Sequence, residues 1–235
     1  MSNIEKIINW LPALGNASLI TLGLTAASVS AGLVLSVFLA LGKIQRVEAR
    51  KGPLLPHMCK LILSCGFRWF CSGYVFFFRG TPLLLQLYFI YYGLPKIDLA
   101  LAIPSFTAAW VAFTLNIAAY LAEIIRAAIQ SIPKGQMEAS RALGLTFWQA
   151  MRLVVLPQAY RRMVPPVCNE FVMVLKDTSL VAIIGLMDLS ARTQKIVSAD
   201  ASALVFIPAL IIYLVMTAFF TVFFNRVEKK LATRE

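Results

Sequence analysis

Charge is what this chain has least of. Only 14% of its 235 residues are charged and 60% are hydrophobic, with a mean hydropathy of +0.78. A globular domain carries about 25% charged and about 45–50% apolar residues. The apolar excess cannot be hidden in one soluble core, which excludes an ordinary soluble domain and a disordered chain. Four cysteines are too few for a disulfide scaffold, and the single histidine, His57, leaves little for a metal site. Cys59, Cys65 and Cys71 recur six residues apart, which on a helix sets them on different faces. Reduced, buried or interfacial thiols are therefore expected there. No glycine loop that cradles a nucleotide occurs, and no metalloprotease His pair or nucleophile elbow. Any uphill work must draw on an ion gradient or on another chain. Acid is scarce too: 11 Asp and Glu against 22 Lys and Arg give a net charge of +11. In a soluble protein that excess would point to nucleic acid. In so apolar a chain it asks which side of a membrane the charges occupy, and no nucleic-acid partner is expected.

What is present is a series of long apolar runs. A spanning helix takes roughly 20 residues to cross about 30 Å of hydrocarbon. No charge lies between Lys6 and Lys43, so residues 17–41 are the first expected span. Others are expected at 69–95, 99–122, 167–187 and 201–225. The expectation is an all-α integral membrane protein of about five transmembrane helices in a single domain, 1–235. Strand-like alternation is missing, so a β-barrel is not expected. Sixteen Lys and Arg fall in the segments 43–68, 126–162 and 226–234, against only Lys6, Lys96, Arg192 and Lys195 on the opposite side. That bias places the N-terminus outside and the C-terminus inside. The first run is too long for a signal peptide, and its positive charges come after it. Its small residues Ala27, Ser28, Ala31 and Gly32 permit close helix approach, either within the chain or against a second membrane subunit.

Polar residues inside such spans default to function. The second span is broken at Arg79-Gly80-Thr81-Pro82. Thr81 is the expected N-cap, with Pro82 opening a half-length helix over 82–94 whose positive end points into the protein. Arg79 beside it can hold a carboxylate bidentately, or it can snorkel to the inner headgroups. Asn116 and Tyr120, with Glu123 three residues on, form a polar stripe facing a cavity or a neighbouring helix; Phe113 is expected on the opposite face. Thr178 and Ser179 are candidates for a polar path lining. Lys176 and Asp177 are adjacent and point about 100° apart, so each is expected to find a partner elsewhere, among Glu123, Glu170 and Arg79, with structural ion pairing the expected role of Lys176. Acids at 123, 170 and 177 would suit a cationic substrate, or would equally pair with Lys176 and Arg79.

The inner segment 131–157 is patterned as two short helices. Pro133 suits a start, Gly144 a left-handed end, and Thr146 with Gln149 a capping box opening Phe147–Leu156. Pro157 is expected to end or kink that second helix, and Pro165-Pro166 to break the chain again before the fourth span. Such a pair fits a membrane-surface element or a docking site.

Here the residues resemble a known family. Glu138-Ala139-Ser140, three residues, Gly144, nine residues, Val154, one residue, Leu156-Pro157 is similar to the cytoplasmic signature of ATP-binding-cassette (ABC) importer permeases, with Ser140 and Val154 as conservative departures. Arg79-Gly80-Thr81-Pro82-Leu83-Leu84 with Gln86, Asn116 with Tyr120 and Glu123, and Lys176-Asp177-Thr178-Ser179 resemble the polar amino acid uptake branch in the same order. The resemblance implies a permease subunit, not an enzyme, moving an amino acid (polar or basic) across a bacterial inner membrane. It implies a pair of cytoplasmic ATP-binding subunits carrying ATP and magnesium, a second permease subunit, identical or different, and a periplasmic binding protein. This chain would bind no cofactor and no metal. Arg79, Thr81, Gln86, Asn116, Tyr120, Glu123, Thr178 and Ser179 would line the passage. Glu138, Ala139, Gly144, Leu156 and Pro157 would couple to the ATPase. The stretch 43–78 is longer than the branch pattern, and its His57–Cys71 part is read as a cytoplasmic interfacial helix or an extension of the second span. A membrane scaffold and a lipid-acting enzyme are the competing classes; one histidine without an acid cluster argues against the enzyme.

Overall fold

The computed structural model describes residues 3–44 and 54–232, and among the described residues there are helices and no strands. The first charge-free run is one long helix, α1 (Asn3–Ile44). Then α2 (Leu54–Gly80) runs without interruption, so the His57–Cys71 stretch is continuous with the expected second span and not a separate interfacial helix. The side chains of His57 and Cys59 lie outside the described residues. Among the described residues Cys65, Cys71 and Cys168 are free thiols, and no cluster of His, Cys, Asp or Glu is arranged to hold a metal.

Helix α2 stops where the sequence takes away a donor. Pro82 has no N–H for the Phe78 carbonyl one turn earlier, and the chain turns extended there, at ψ 131°. A half-length rod comes next: α3 (Leu83–Tyr88), a π-helical turn at Phe89–Gly93, and α4 (Leu94–Ile97). The expected 69–95 span is thus two rods meeting at a break. Pro82, not Thr81, holds the N-cap position, because the Thr81 hydroxyl donates back to Phe77 O at 2.9 Å. Pro104 fixes the next start, so α5 covers Ser105–Gln130, later than the expected 99–122, while Leu99–Leu101 forms a separate 3-10 turn. Next come α6 (Lys134–Ala142) and α7 (Phe147–Ala150), a π turn at Met151–Val155, and α8 (Leu156–Asp177). The chain stays helical from Phe147 to Asp177. Pro157 therefore does not end the second helix and Pro165-Pro166 do not break the chain, against the expectation for both: Pro157 falls in the first turn after the wider π turn, where a missing N–H costs least. A 3-10 stretch, Thr178–Ile184, then closes on Gly185 with φ +74°. Last are α9 (Leu189–Asp200) and α10 (Phe206–Ala232).

Among the described residues, three stretches are long and apolar enough to cross a membrane: Asn3–Lys43, Ser105–Gln130 and Ala203–Leu231. The protein is multi-pass. Helix α5 is its axis. Ala108, Ala109, Ala112, Ala118, Ala119 and Ala122 are fully buried on it, and such small residues let neighbouring backbones come close. Gly32 of α1 is set against it so tightly that a Cβ would stand 2.3 Å from Ile117 Cγ2. The small-residue stripe of α1 therefore serves packing within this chain. At one end, Lys43 Nζ lies 2.7 Å from Glu123 Oε2, and Arg126 bonds the other carboxylate oxygen. At the other end, the buried Asp188 caps α9 by accepting from Ala191 N at 2.8 Å and from the Tyr213 hydroxyl at 3.3 Å. Trp10 Nε1 donates to Asp200 Oδ2 at 2.7 Å across the same end.

Candidate functional site

The break before Pro82 organises the site. With no helical donor, the Phe78 carbonyl takes two side-chain donors, Gln86 Nε2 and Asn116 Nδ2, each at 3.1 Å. The same Gln86 nitrogen donates to Thr81 O at 3.1 Å and Thr81 Oγ1 at 2.8 Å, and Gln86 Oε1 accepts from Asn116 Nδ2 at 3.0 Å. Two amide side chains, from α3 and α5, thus close on one carbonyl, and Gln86 ties Thr81 to them. A buried carbonyl left unpaired would cost about 1–3 kcal/mol, so this clasp makes the break tolerable in an apolar setting.

Beside the clasp lies a cavity of about 340 Å³. Its polar wall is Arg79, Thr81, Asn116, Tyr120, Glu170 and Asp177. Helix α8 supplies the two acids, which are seven residues apart and so two turns along one face. Both Asp177 and Arg79 act electrostatically on Glu170. The Arg79 guanidinium carbon sits 5.2 Å from the centroid of the Tyr120 ring, within cation–π range, and does not simply reach for headgroups. A second cavity, of about 410 Å³, shares Arg79 and Tyr120 and continues to Ser72, Lys43 and Glu123.

The polar stripe of α5 tracks these two cavities in order: Asn116 borders the first, Tyr120 both, Glu123 the second. Phe113 also borders the first cavity. It does not lie on the opposite face, because three residues along a helix return to the same side. Glu123 is held by Lys43 and Arg126. Gln86 is buried at 7% exposure and does not border the cavity, Thr178 is fully buried with its hydroxyl donating to Leu175 O at 2.8 Å, and Ser179 is half-buried away from both cavities. Lys176 is exposed, and among the described residues it has no ion-pair partner; Glu123, one expected partner, is already taken by two other cations. That Glu170 and Asp177 share a cavity with Arg79 depends on how α8 is rotated against α2, which sequence spacing does not carry.

The inner pair of short helices has its own geometry. Gly144 has φ +87°, and Leu145 N donates to Ser140 O at 3.2 Å while Gly144 N donates to Arg141 O at 3.0 Å. That is the paired-bond helix end that a left-handed glycine permits. Thr146 then caps α7 in both directions, accepting from Gln149 N at 3.3 Å and donating its own N–H to Gln149 Oε1 at 2.8 Å. Glu138, Ala139, Gly144, Leu156 and Pro157 are exposed. So are two apolar residues that the motif alone does not single out, Leu143 at 85% and Trp148 at 67%.

Residues 66–233 match the family described as binding-protein-dependent transport system inner membrane component. The arginine transport system permease protein of Bacillus subtilis (strain 168) is 36% identical over 234 residues, 99% of each chain. The glutamine transport system permease protein of Escherichia coli (strain K12) is 42% identical over 154 residues, 65% of this chain and 70% of the relative. Among solved structures, a crystal structure of an amino acid ABC transporter with histidines superposes with a TM-score of 0.84 at 34% identity, covering 98% of this chain and 99% of the other.

Proposed function

We propose how this chain, which belongs to the family of binding-protein-dependent transport system inner membrane components, recognises and passes its cargo. It is the permease subunit of an amino acid ABC importer, and ATP hydrolysis sits on separate subunits. The scaffold and the lipid-acting enzyme are not favoured. The observation that carries the finer reading is the cavity in which one guanidinium, Arg79, meets two carboxylates, Glu170 and Asp177. Arg79 takes the substrate's α-carboxylate through its planar fork. One acid takes the α-ammonium, and the other is left for a cationic side chain. The wall carries one more negative charge than positive, so a basic amino acid is the complementary cargo; an arginine permease among the relatives supports this.

The crossings are assigned to α1, α2, α5, α8 and α10 in a bacterial inner membrane, N-terminus outside. A charge facing lipid at mid-membrane is expensive. Lys176, exposed and without an ion-pair partner among the described residues, therefore supports a second permease subunit covering that face. The corner at Gly144, with Leu143 and Trp148 displayed on either side, is the surface offered to the cytoplasmic ATP-binding pair, and a periplasmic binding protein delivers the cargo.

The test is uptake of labelled L-arginine against labelled L-glutamine by cells carrying the complete transporter with Glu170→Gln, Asp177→Asn or Arg79→Ala. The acid replacements should lower the preference for arginine about tenfold, the equivalent of one lost ionic contact of roughly 1.4 kcal/mol. Arg79→Ala should lower uptake of both. An unchanged arginine-to-glutamine ratio in both acid variants would reject the basic-cargo reading.

A further inference from the structure

We infer that Gln86 is the positioning residue of the amino acid site, setting Arg79 from outside the cavity; this rests on the reading that Arg79 receives the carboxylate. The Phe78 carbonyl and the Arg79 N–H belong to one planar peptide unit. Whatever fixes that carbonyl fixes the plane from which the Arg79 side chain departs. The Arg79 N–H end of this plane lies within α2. Pro82 removes the donor that an uninterrupted helix would supply to the carbonyl end, so that end is held by side chains. Gln86 Nε2 and Asn116 Nδ2 hold it, at 3.1 Å each. Gln86 makes the stronger claim to a positioning role. Its nitrogen also ties down Thr81 at 3.1 and 2.8 Å, its oxygen orients Asn116 at 3.0 Å, and it is buried at 7% exposure and does not border the cavity. Gln86 therefore acts on cargo only through the residues it holds. The primary amide is the one group that fits, since it donates to carbonyls from one end and accepts from Asn116 at the other. A carboxylate would accept from Asn116 but face two carbonyl oxygens with nothing to donate.

The experiment is equilibrium binding of labelled L-arginine to the purified permease–ATPase complex without binding protein, so that only the membrane site is read. The variants are Gln86→Met, Gln86→Glu, Arg79→Ala and the double variant Gln86→Met/Arg79→Ala. Gln86→Met keeps the volume and removes the amide. It should raise the half-saturating concentration about tenfold, and Gln86→Glu should do the same despite its matching shape. Co-purification of the ATPase should be unchanged in both. In the Arg79→Ala background the Gln86 replacement should add no further weakening, because its effect passes through Arg79. Equal affinity of Gln86→Met and wild type, with Arg79→Ala weakened, would overturn the positioning role and leave the Arg79 reading standing. Additive losses in the double variant would also overturn it, by showing that Gln86 acts through Thr81 or Asn116 and not through Arg79. Unchanged binding in Arg79→Ala would remove the carboxylate reading and this inference with it. If Gln86→Met does not assemble, Asn116→Ser removes the other donor to the Phe78 carbonyl and enters the same cycle with Arg79→Ala.

Discussion

At the residue scale, the ionic cluster at the end of α1 shows why a charge in an apolar chain is better judged by its partners than by its presence. Glu123 faces two cations, Lys43 from α1 and Arg126 from its own helix, with side chains 17–26% exposed. Removing the acid strands two positive charges in poorly hydrated surroundings. Removing Lys43 leaves Glu123 and Arg126 still paired. Glu123→Gln should therefore destabilise the purified complex more than Lys43→Met, by roughly 1–3 kcal/mol against under about 1, read as thermal midpoints. Equal losses would mean that the triad contributes no more than a single surface pair. Tyr120 and Asn116 make a second residue-scale case. Cysteine at either, in a background lacking native cysteines, should react with a water-soluble thiol reagent, because both border cavities. Cysteine at the fully buried Ala119 should not. Labelling at Ala119 as fast as at Asn116 would remove the support for an aqueous face on α5.

At the element scale, α1 and α5 are held together by closeness more than by polarity. Gly32 is the point of nearest approach, where even a methyl group would stand 2.3 Å from Ile117 Cγ2 and 3.4 Å from the Ala118 backbone nitrogen. Gly32→Ala should lower stability by about 1–3 kcal/mol through overpacking, seen as a lower thermal midpoint and a smaller yield of assembled complex. Ile117→Leu should recover part of that loss in combination, since it removes the clashing γ2 carbon at nearly constant volume and the two residues touch. If the second change gives no recovery, the helices separate instead of adjusting locally. The break between α2 and α3 obeys the other rule of apolar surroundings, that every backbone group needs a partner. Pro82 orphans one carbonyl, and two amide side chains answer it. Proline is carried elsewhere in the fold at less cost: Pro157 lies in a first helical turn, after a π turn.

At the scale of the whole molecule, sequence and structure agree most where a local rule decides. The charge-free run of α1, the break at Pro82, the left-handed turn at Gly144 and the Thr146–Gln149 capping box are all set by a few adjacent residues. The illegible part depends on how helices are rotated against one another. That is why Lys43 and not Lys176 meets Glu123, and why Glu170 and Asp177 line one cavity with Arg79. Coupling is the property that spans the whole assembly, and Gly144 tests it with a control built into the backbone. Among the described residues nothing lies within 4 Å of a Cβ placed there, so the local demand is conformational: φ is +87°. A β-branched residue in that region costs about 1–2 kcal/mol, whereas asparagine tolerates it. Gly144→Val should leave the membrane helices inserted but reduce co-purification of the ATPase and uptake together, and Gly144→Asn should retain more of both. If Asn fails as badly as Val, the docked partner itself approaches the glycine too closely for any side chain. If Val retains normal ATPase association and normal uptake, the exposed corner between α6 and α7 does not couple the ATPase, and the pair is a membrane-surface element.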